Sequence, residues 1–361
     1  MVEKKYIAIA EKIRTDIDRG VFPEGSKIPP IRKLAEIYGV NPQTVNKATA
    51  YLASLGYLDA RRGAGSTVRK PTAVSVRRRV PMLVDRSRAR LLDDLDDIAN
   101  FHGKDIYLGY LMETAVRGDA SGFMIYDRDE DAAPEGFAEE MAGAWGVIVQ
   151  GSLPECRSAV LAAMDIPTVL INRKPTQVGG RFASVLIPMD RLKEMANYLA
   201  SLGHRRFLFA LSDRFELNAE FEARMSAFRC GLDGWGLDED AVVPFVYTEA
   251  SARHADLLAS EVTAGRTAAV AYNDVSALGL YGLAARIGLD LPRDLSIVGF
   301  DDIALAQIAS PPLTTIHVDR RDLVRKAFAA LDELASGSAP LRIEIEVPTT
   351  LSLRQSAFRA P

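Results

Sequence analysis

The sequence predicts a chain of two parts, a small basic module of helices and one hairpin followed by a large α/β body built on parallel sheets. Charge is divided unevenly along the 361 residues. Residues 1–79 hold 16 Lys and Arg and 7 Asp and Glu, a net charge of +9. Residues 80–361 hold 28 Lys and Arg and 41 Asp and Glu, a net charge of −13. Apolar residues follow helical spacing at the start and alternate between short runs and helical segments after residue 80. A basic module on an acidic body suggests a polyanion as the partner of the first part.

The composition excludes several classes of protein. With 48% apolar and 25% charged residues, the chain is neither disordered nor collagen-like. The two cysteines, Cys156 and Cys230, are too few for a disulfide framework and are expected to be buried free thiols. Charges stand within the first three residues and no apolar run approaches the ~18 residues of a membrane span. We therefore expect a cytoplasmic protein that does not enter a membrane.

Three helices are predicted in the first 56 residues. Isoleucines recur at helical spacing over residues 6–17, and a second, short amphipathic segment covers residues 31–38. The third helix begins where Asn41 can act as N-cap and Pro42 fits the first turn, and it ends before Gly56.

Two short strands, 57–60 and 66–68, follow these helices and are joined by the basic, glycine-rich turn 61–65. Three helices and a hairpin in this order predict a winged helix-turn-helix, whose second motif helix enters the DNA major groove. Amide side chains there can bond adenine, Thr can bond phosphate or base edges, and Lys neutralises phosphate. The outward side chains at the start of the third helix are Gln43, Thr44, Asn46 and Lys47. A solvated polar helix face is the alternative interpretation.

Residues 4–69 resemble the GntR family of bacterial repressors. The matching positions include Tyr6, Gly25 to Pro29, Tyr38 to Val40, Thr44-Val45, Gly56 to Leu58 and Gly63 to Val68. The resemblance implies double-stranded operator DNA as the partner. It assigns DNA contacts to Arg32 at the start of the second helix, to the recognition-helix positions Asn41, Gln43, Thr44 and Asn46, and to Arg62 and Gly63 at the wing tip.

The recognition helix departs from the family pattern. Many members carry an arginine on each side of the threonine, where this chain has Pro42 and Asn46. With fewer arginines the base preference is expected to shift from guanine toward adenine. The operator sequence of the family therefore does not carry over.

A basic linker is predicted at residues 71–79, between a DNA-binding domain over 1–70 and a body over 80–361. It contains Pro71 and ends in the run Arg77-Arg78-Arg79. Three adjacent arginines could hold the linker close to the DNA backbone. A solvated charge run is the alternative.

The body predicts parallel sheets, because short apolar runs alternate with helical segments. The predicted strands are 81–84, 123–126, 146–149, 168–171, 184–187, 207–211, 242–246, 268–271 and 296–298. Ligands of such sheets bind beyond the carboxyl ends of the strands. Amide, carboxylate and guanidinium groups there suit a polyhydroxylated ligand, since each hydroxyl both donates and accepts. The polar residues at these places are Asn172, Ser212-Asp213, Asn273-Asp274 and Asp301-Asp302, with Arg224 in a helix that follows a strand. Helix caps and turns are the alternative role for each.

Residues from about 140 to 356 resemble the effector-binding core of LacI-type repressors, which is similar to periplasmic sugar-binding proteins. The motifs are Trp145 to Val149, Ile166 to Arg173, Leu202 to Arg206, Arg224 with Phe228, Ala271 to Asp274, Leu295 to Asp302, Ser310 to Ile316 and Arg354 to Ser356. The resemblance implies a two-lobed, type I periplasmic-binding-protein-like domain crossed by the chain near residues 188, 316 and 346. It assigns effector contacts to Arg224, Asn273, Asp301 and Asn172.

Two departures concern the body. Ala227 replaces a glycine that is usual three residues after the arginine, and the acidic segment 91–98 looks inserted. Because of this insertion, Asp85, Tyr107 and Tyr110 remain unassigned candidates for the cleft.

No cofactor or metal is expected. The four histidines form no HxH, HxxxH or HExxH pairing, and no GxSxG, phosphate-binding loop or GxGxxG motif occurs in context. The sequence thus predicts a regulator and not an enzyme.

The hypothesis from sequence is a repressor that binds a palindromic operator as a homodimer and responds to a small, sugar-like effector. The pairing of domains is similar to the arabinose-responsive repressors of bacteria. A nucleobase or nucleoside is the alternative effector. A cytoplasmic solute-binding protein without a regulatory role is the alternative of another class, and an enzyme fused to a winged helix would need a cofactor-binding lysine motif and a longer body.

Overall fold

The computed structural model describes residues 5–54, 57–61, 65–68, 78–86, 101–176, 179–215, 217–337 and 342–360. The chain forms two compact units that divide between Arg77 and Arg78. Each unit is described by itself below.

The first unit has three helices followed by a two-stranded antiparallel sheet. Its elements are α1 (Lys5–Asp18), α2 (Ile31–Tyr38), α3 (Pro42–Ser54), β1 (Leu58–Arg61) and β2 (Gly65–Val68). This order confirms the predicted winged helix-turn-helix.

The apolar face of each helix meets one shared core. Ile13 and Ile17 of α1, Leu34 of α2, and Val45 of α3 are fully buried there. Helix α2 ends at Gly39, whose left-handed backbone (φ 64°) lets its N–H bond the carbonyls of the last turn. The turn between α2 and α3 is therefore set by local sequence.

The second unit begins with a lobe whose six-stranded sheet has the order β13-β7-β6-β5-β3-β4, all parallel. Its strands are β3 (Arg79–Asp85), β4 (Ala120–Tyr126), β5 (Val147–Gln150), β6 (Thr168–Ile171), β7 (Phe182–Leu186) and β13 (Arg342–Glu346). Its helices are α4 (Phe101–Arg117), α5 (Phe137–Met141), α6 (Glu155–Ala163) and α12 (Arg320–Ser336). We call this part lobe 1.

The inner strands β3, β5 and β6 of the lobe 1 sheet are buried on both faces, which is why they are mainly apolar runs. On β3, Met82 and Val84 belong to a core with α4 and α12, whereas Leu83 belongs to a second core with Phe137 of α5 and Leu161 of α6. The alternation follows the two-residue repeat of a strand.

The other lobe, lobe 2, has a sheet of order β14-β12-β11-β10-β8-β9, with only β14 antiparallel among these described strands. Its strands are β8 (Phe207–Ser212), β9 (Val242–Tyr247), β10 (Ala268–Ala271), β11 (Ser296–Asp301), β12 (Thr314–Val318) and β14 (Thr349–Ser352). Its helices are α7 (Asp190–Ser201), α8 (Ala219–Cys230), α9 (Ala252–Thr263), α10 (Asp274–Arg286) and α11 (Ala304–Ile308). The predicted two-lobed fold with parallel sheets is confirmed.

The chain passes between the lobes three times, from β7 to α7, from β12 to α12, and from β13 to β14. These passages lie between residues 186 and 190, 318 and 320, and 346 and 349. The carboxyl ends of the parallel strands of both lobes are therefore beside the crossings.

Two expectations about the second unit need correction. The guanidinium of Arg78 pairs with Asp119 at 2.9 Å and lies 4.2 Å from the ring centroid of Trp145, and Arg79 donates to backbone carbonyls of lobe 1. Arg78 and Arg79 therefore belong to lobe 1 and not to the predicted linker 71–79, and Arg77 lies outside the described residues. The cysteines are free but not buried, because Cys156 is half-buried and Cys230 is exposed.

Among the described helices, none is long and apolar enough to cross a membrane. The segment 91–98, interpreted as an insertion, lies outside the described residues, and α4 occupies the positions that follow it.

Candidate functional site

The proposed DNA-reading surface lies at the start of α3. Gln43, Asn46 and Lys47 are exposed there, and Arg32 is exposed on the first turn of α2. Thr44 is half-buried. Arg62 and Gly63, predicted at the wing tip, lie outside the described residues.

Asn41 has a structural task as well as its predicted place on this surface. Its side-chain carbonyl Oδ1 accepts hydrogen bonds from the backbone N–H and the hydroxyl of Thr44, both at 2.8 Å. This is the N-cap that the sequence predicts, and it occupies Oδ1. Asn41 and Thr44 thus orient the helix, and the side chains beyond them are presented outward.

The predicted effector residues lie at the carboxyl ends of strands in both lobes. Asn172 follows β6 in lobe 1, Asn273 follows β10 in lobe 2, and Asp301 ends β11. Arg224 projects from α8. Arg224, Asn273 and Asp301 are buried, with 4 to 6% of each residue exposed, and Asn172 is half-buried.

Arg224 is held from several sides. Its Nη1 donates to the carbonyl of Tyr272 at 2.6 Å and its Nη2 donates to Oε1 of Glu220 at 2.8 Å. The guanidinium carbon lies 4.0 Å from the ring centroid of Phe300 and 4.5 Å from that of Tyr272. Burial alone would lower the pKa of Arg224, but Glu220 and the neighbouring polar groups raise it, so the group stays charged. Its Nε is buried without a hydrogen-bond partner among the described residues.

Glu220 joins the two lobes and was missed in the sequence. Oε1 also accepts from Nδ2 of Asn172 at 3.3 Å, and Oε2 lies 2.9 Å from Nη2 of Arg173. Helical spacing could have identified Glu220, since it precedes Arg224 by four residues and lies on the same face of α8. The structure thus brings Asn172 and Arg224 together through Glu220.

Asn273 and Asp301 are held by neighbouring elements. Oδ1 of Asn273 accepts from the backbone N–H of Ser276 at 2.8 Å, so the residue caps α10. The carboxylate of Asp301 lies 3.1 Å from Nη2 of Arg320 at the start of α12, where the chain crosses between lobes. The cap thus occupies the side-chain oxygen of Asn273, and the ion pair with Arg320 holds Asp301 beside the crossing.

Backbone strain is concentrated at the same place. Asn172, Asp301 and Asp302 have positive φ angles of 51°, 119° and 54°. Such conformations in residues other than glycine cost about 1–3 kcal/mol each and persist where the surroundings enforce them. Strain at the carboxyl ends of β6 and β11 supports a functional role for this cleft.

The structure distinguishes the unassigned candidates of lobe 1 that end at the cleft from those that do not. The hydroxyl of Tyr110 donates to the carbonyl of Val80 at 2.6 Å, near the amino end of β3 and away from the cleft. Tyr107 is buried against Phe123. Asp85 ends β3, and Gln150 ends β5 with Oε1 unpartnered among the described residues. Asp85 and Gln150 are therefore the cleft candidates of these strands.

No group of three or more potential metal ligands occurs among the described residues. His204 bonds Thr267 and the carbonyl of Phe358, and burial lowers its pKa. Its role is to join the end of the chain to lobe 2.

A winged helix and a two-lobed α/β domain with a polar cleft are together typical of a regulator of transcription. Comparison with known protein families supports this class. Residues 5–68 match the model for bacterial regulatory proteins of the gntR family, and residues 196–357 match the model for a periplasmic binding protein-like domain.

Named relatives are transcriptional regulators. The regulator MalR of Streptomyces coelicolor is 31% identical over 209 residues, which cover 56% of this chain and 59% of MalR. The repressor PurR of Vibrio vulnificus is 26% identical over 316 residues, which cover 84% of this chain and 91% of PurR. The chain thus spans less than two thirds of MalR but most of PurR.

Solved structures show the same fold. A LacI family regulator from Enterococcus faecium with bound ribose has a TM-score of 0.62 and 20% identity, over 78% of this chain and 100% of that one. The regulator CCPA from Weissella paramesenteroides with bound sucrose has a TM-score of 0.61 and 21% identity, over 79% and 100%. The chain therefore joins a GntR-type helix-turn-helix domain to a periplasmic binding protein-like domain, the composition of a transcriptional regulator and not of an enzyme.

Proposed function

We propose that the protein is a repressor that binds a palindromic operator as a homodimer and is controlled by a small, sugar-like effector. The observation that carries this proposal is the meeting of the half-buried Asn172 and Arg173 from lobe 1 with Glu220 and Arg224 from lobe 2 in one cluster. A ligand bound there contacts both lobes and therefore changes the angle between them. On this proposal the protein acts in the cytoplasm, where operator DNA lies.

The cleft favours a sugar over a nucleobase or nucleoside. A planar base needs an accessible aromatic face on which to stack. Phe300 and Tyr272 are buried, and each lies within 4.5 Å of the Arg224 guanidinium. The cationic group covers the rings, whereas amides, carboxylates and guanidinium groups surround the space that hydroxyls would occupy.

The proposal predicts coupling between effector and operator. A thermal-shift screen of pentoses, hexoses, disaccharides and nucleosides should identify a ligand that, at about 100 times its Kd, stabilises the fold by about 2.7 kcal/mol. Operator duplexes are selected from a random pool. If the effector weakens operator binding, the operator must weaken effector binding by the same factor. Equal effector affinity with and without operator would contradict the mechanism, and failure to select any duplex would favour a solute-binding protein.

The proposed homodimer has a candidate surface on lobe 1. Val116 on α4 is 84% exposed, and neighbouring side chains of α4 and of the adjacent edge strand β4 are also apolar and exposed. The set consists of Leu108, Leu111, Met112, Val116, Phe123 and Ile125. A contiguous exposed apolar patch is typical of a protein interface.

Val116→Glu is expected to convert the dimer to a monomer and to weaken binding to a palindromic operator at least tenfold. The reason is that the two recognition helices then belong to separate molecules and bind the two half-sites independently. Analytical ultracentrifugation and operator titration measure the two effects. Leu353→Glu is the matched control, since Leu353 is 55% exposed and lies in lobe 2 away from this surface. Dissociation by the control and not by Val116→Glu would place the interface elsewhere.

A further inference from the structure

Glu220 is the carboxylate between two arginines that come from opposite lobes. Only 10% of its side chain is exposed, against 27% for Arg173 and 5% for Arg224. Each arginine lies within 3 Å of one of its oxygens. The two guanidinium groups are therefore placed to hold a single anion, and the protein supplies that anion itself.

Two other carboxylates of the cleft pair with other cations. Asp301 pairs with Arg320 at 3.1 Å. Asp302 pairs with Arg354 at 2.6 Å and lies 3.1 Å from Nδ1 of His317. Glu220 is therefore the carboxylate in direct contact with both Arg173 and Arg224, and Asp301 adds to the negative charge around Arg224. Buried charges require such partners.

We propose that Glu220 determines the charge class of the effector, so that the cleft selects uncharged ligands and excludes phosphorylated or acidic ones. The inference rests on the proposed effector-binding function of this cleft. An anionic group entering between the arginines must displace Glu220 or lie beside it, and like charges at close contact are strongly unfavourable in a buried site. A hydroxyl can donate to the carboxylate and accept from Nε of Arg224, which has no other described partner.

The test uses inorganic phosphate as the probe and the full-length protein. Glu220→Gln keeps the shape of the side chain and removes its charge. We expect this variant to bind phosphate at least tenfold more tightly than the unaltered protein, as measured by calorimetry or by phosphorus NMR. The double variant R173Q/E220Q should lose this gain, because one of the two cations is gone.

Glu261→Gln is the matched control. Glu261 pairs at 2.7 Å with the buried Arg266, which precedes β10 at the amino end of the lobe 2 sheet, so this variant also removes a carboxylate from a buried arginine but lies at the opposite end of the sheet from the cleft. No gain in phosphate affinity is expected. If both glutamine variants gain equally, any released arginine binds phosphate and Glu220 has no special role.

Repulsion between the arginines could prevent Glu220→Gln from folding. In that case phosphate is expected to raise the Tm of Glu220→Gln and to leave that of R173Q/E220Q unchanged. A folded Glu220→Gln variant with unaltered phosphate affinity would overturn the proposal, as would Arg173-dependent phosphate binding by the unaltered protein. Neither result depends on operator or sugar, so this test and the coupling test fail separately.

Discussion

Arg224→Gln is expected to lower effector affinity about 100-fold while the protein still binds its operator. A hydrogen bond to a charged group contributes about 1.5–3 kcal/mol, and every 1.4 kcal/mol is tenfold in affinity. The guanidinium of Arg224 is the cationic donor of the lobe 2 wall, and its removal also leaves Glu220 with Arg173 as its remaining described cation. Calorimetry with the ligand identified by the screen measures the loss, and operator titration shows retained DNA binding.

Stability must be separated from recognition in this experiment. Removing one partner of a buried ion pair costs about 3–5 kcal/mol. Arg266 is a suitable match to Arg224, because it is also a buried arginine that pairs with a glutamate. It is 6% exposed, pairs with Glu261 at 2.7 Å, and donates to the backbone carbonyl of Asp240 at 3.2 Å, near the amino end of β10 and away from the cleft.

Arg266→Gln should therefore lower the free energy of unfolding by a similar amount and leave effector affinity unchanged. Denaturant unfolding compares the two variants directly. Equal loss of effector binding in both would mean that Arg224 acts through the stability of the fold and not through contact with the ligand.

Local sequence was sufficient to predict the DNA-binding domain. The cap at Asn41, the left-handed Gly39 and the isoleucine spacing of α1 each act within a few residues, and each is present in the structure. The same holds for strands buried on both faces, such as β6, because such strands are uninterrupted apolar runs.

Elements that depend on distant partners were not predicted. Strand β13 reads Arg-Ile-Glu-Ile-Glu and lies at the edge of the lobe 1 sheet, so its charged residues face solvent and no apolar run marks it. Its place beside β7 follows from a chain crossing that no local pattern encodes. Helix α4 was not predicted either, because it carries apolar residues on its buried and its exposed sides.

The cleft residues also divide into those that local sequence predicts and those that depend on distant partners. The sequence placed Asn172, Asn273 and Asp301 at strand ends, and their positions there follow from the alternation of strands and helices. Glu220 escaped notice because its role arises where residues 172–173 meet residues 220–224 across two lobes. Such a contact requires the three crossings between lobes.

The charge division also changes with the structure. Arg78 and Arg79 belong to the second unit, so residues 1–77 hold 14 Lys and Arg against 7 Asp and Glu, a net charge of +7, and the second unit has −11. The DNA-binding unit remains basic after this correction. The acidic second unit should repel DNA, which leaves the winged helix as the part that binds it.

Operator affinity is expected to fall at least 10³-fold between 50 and 200 mM salt, and effector affinity by less than twofold. Neutralising 6–10 phosphates releases counterions and gives a loss of about 10³–10⁵ over this range, whereas an uncharged ligand releases none. Lys47→Ala should weaken binding to all duplexes and make the dependence on salt less steep, because its ammonium is exposed beside the recognition surface.

Two controls make this prediction specific. Gln43→Ala should lower the preference for the selected operator over random DNA and leave the dependence on salt unchanged, since an amide reads bases and carries no charge. Lys33→Ala removes an exposed ammonium that pairs with Glu36 at 2.9 Å, and it should change neither quantity. If effector binding weakens with salt as steeply as operator binding does, the effector is charged, and the role assigned to Glu220 is wrong.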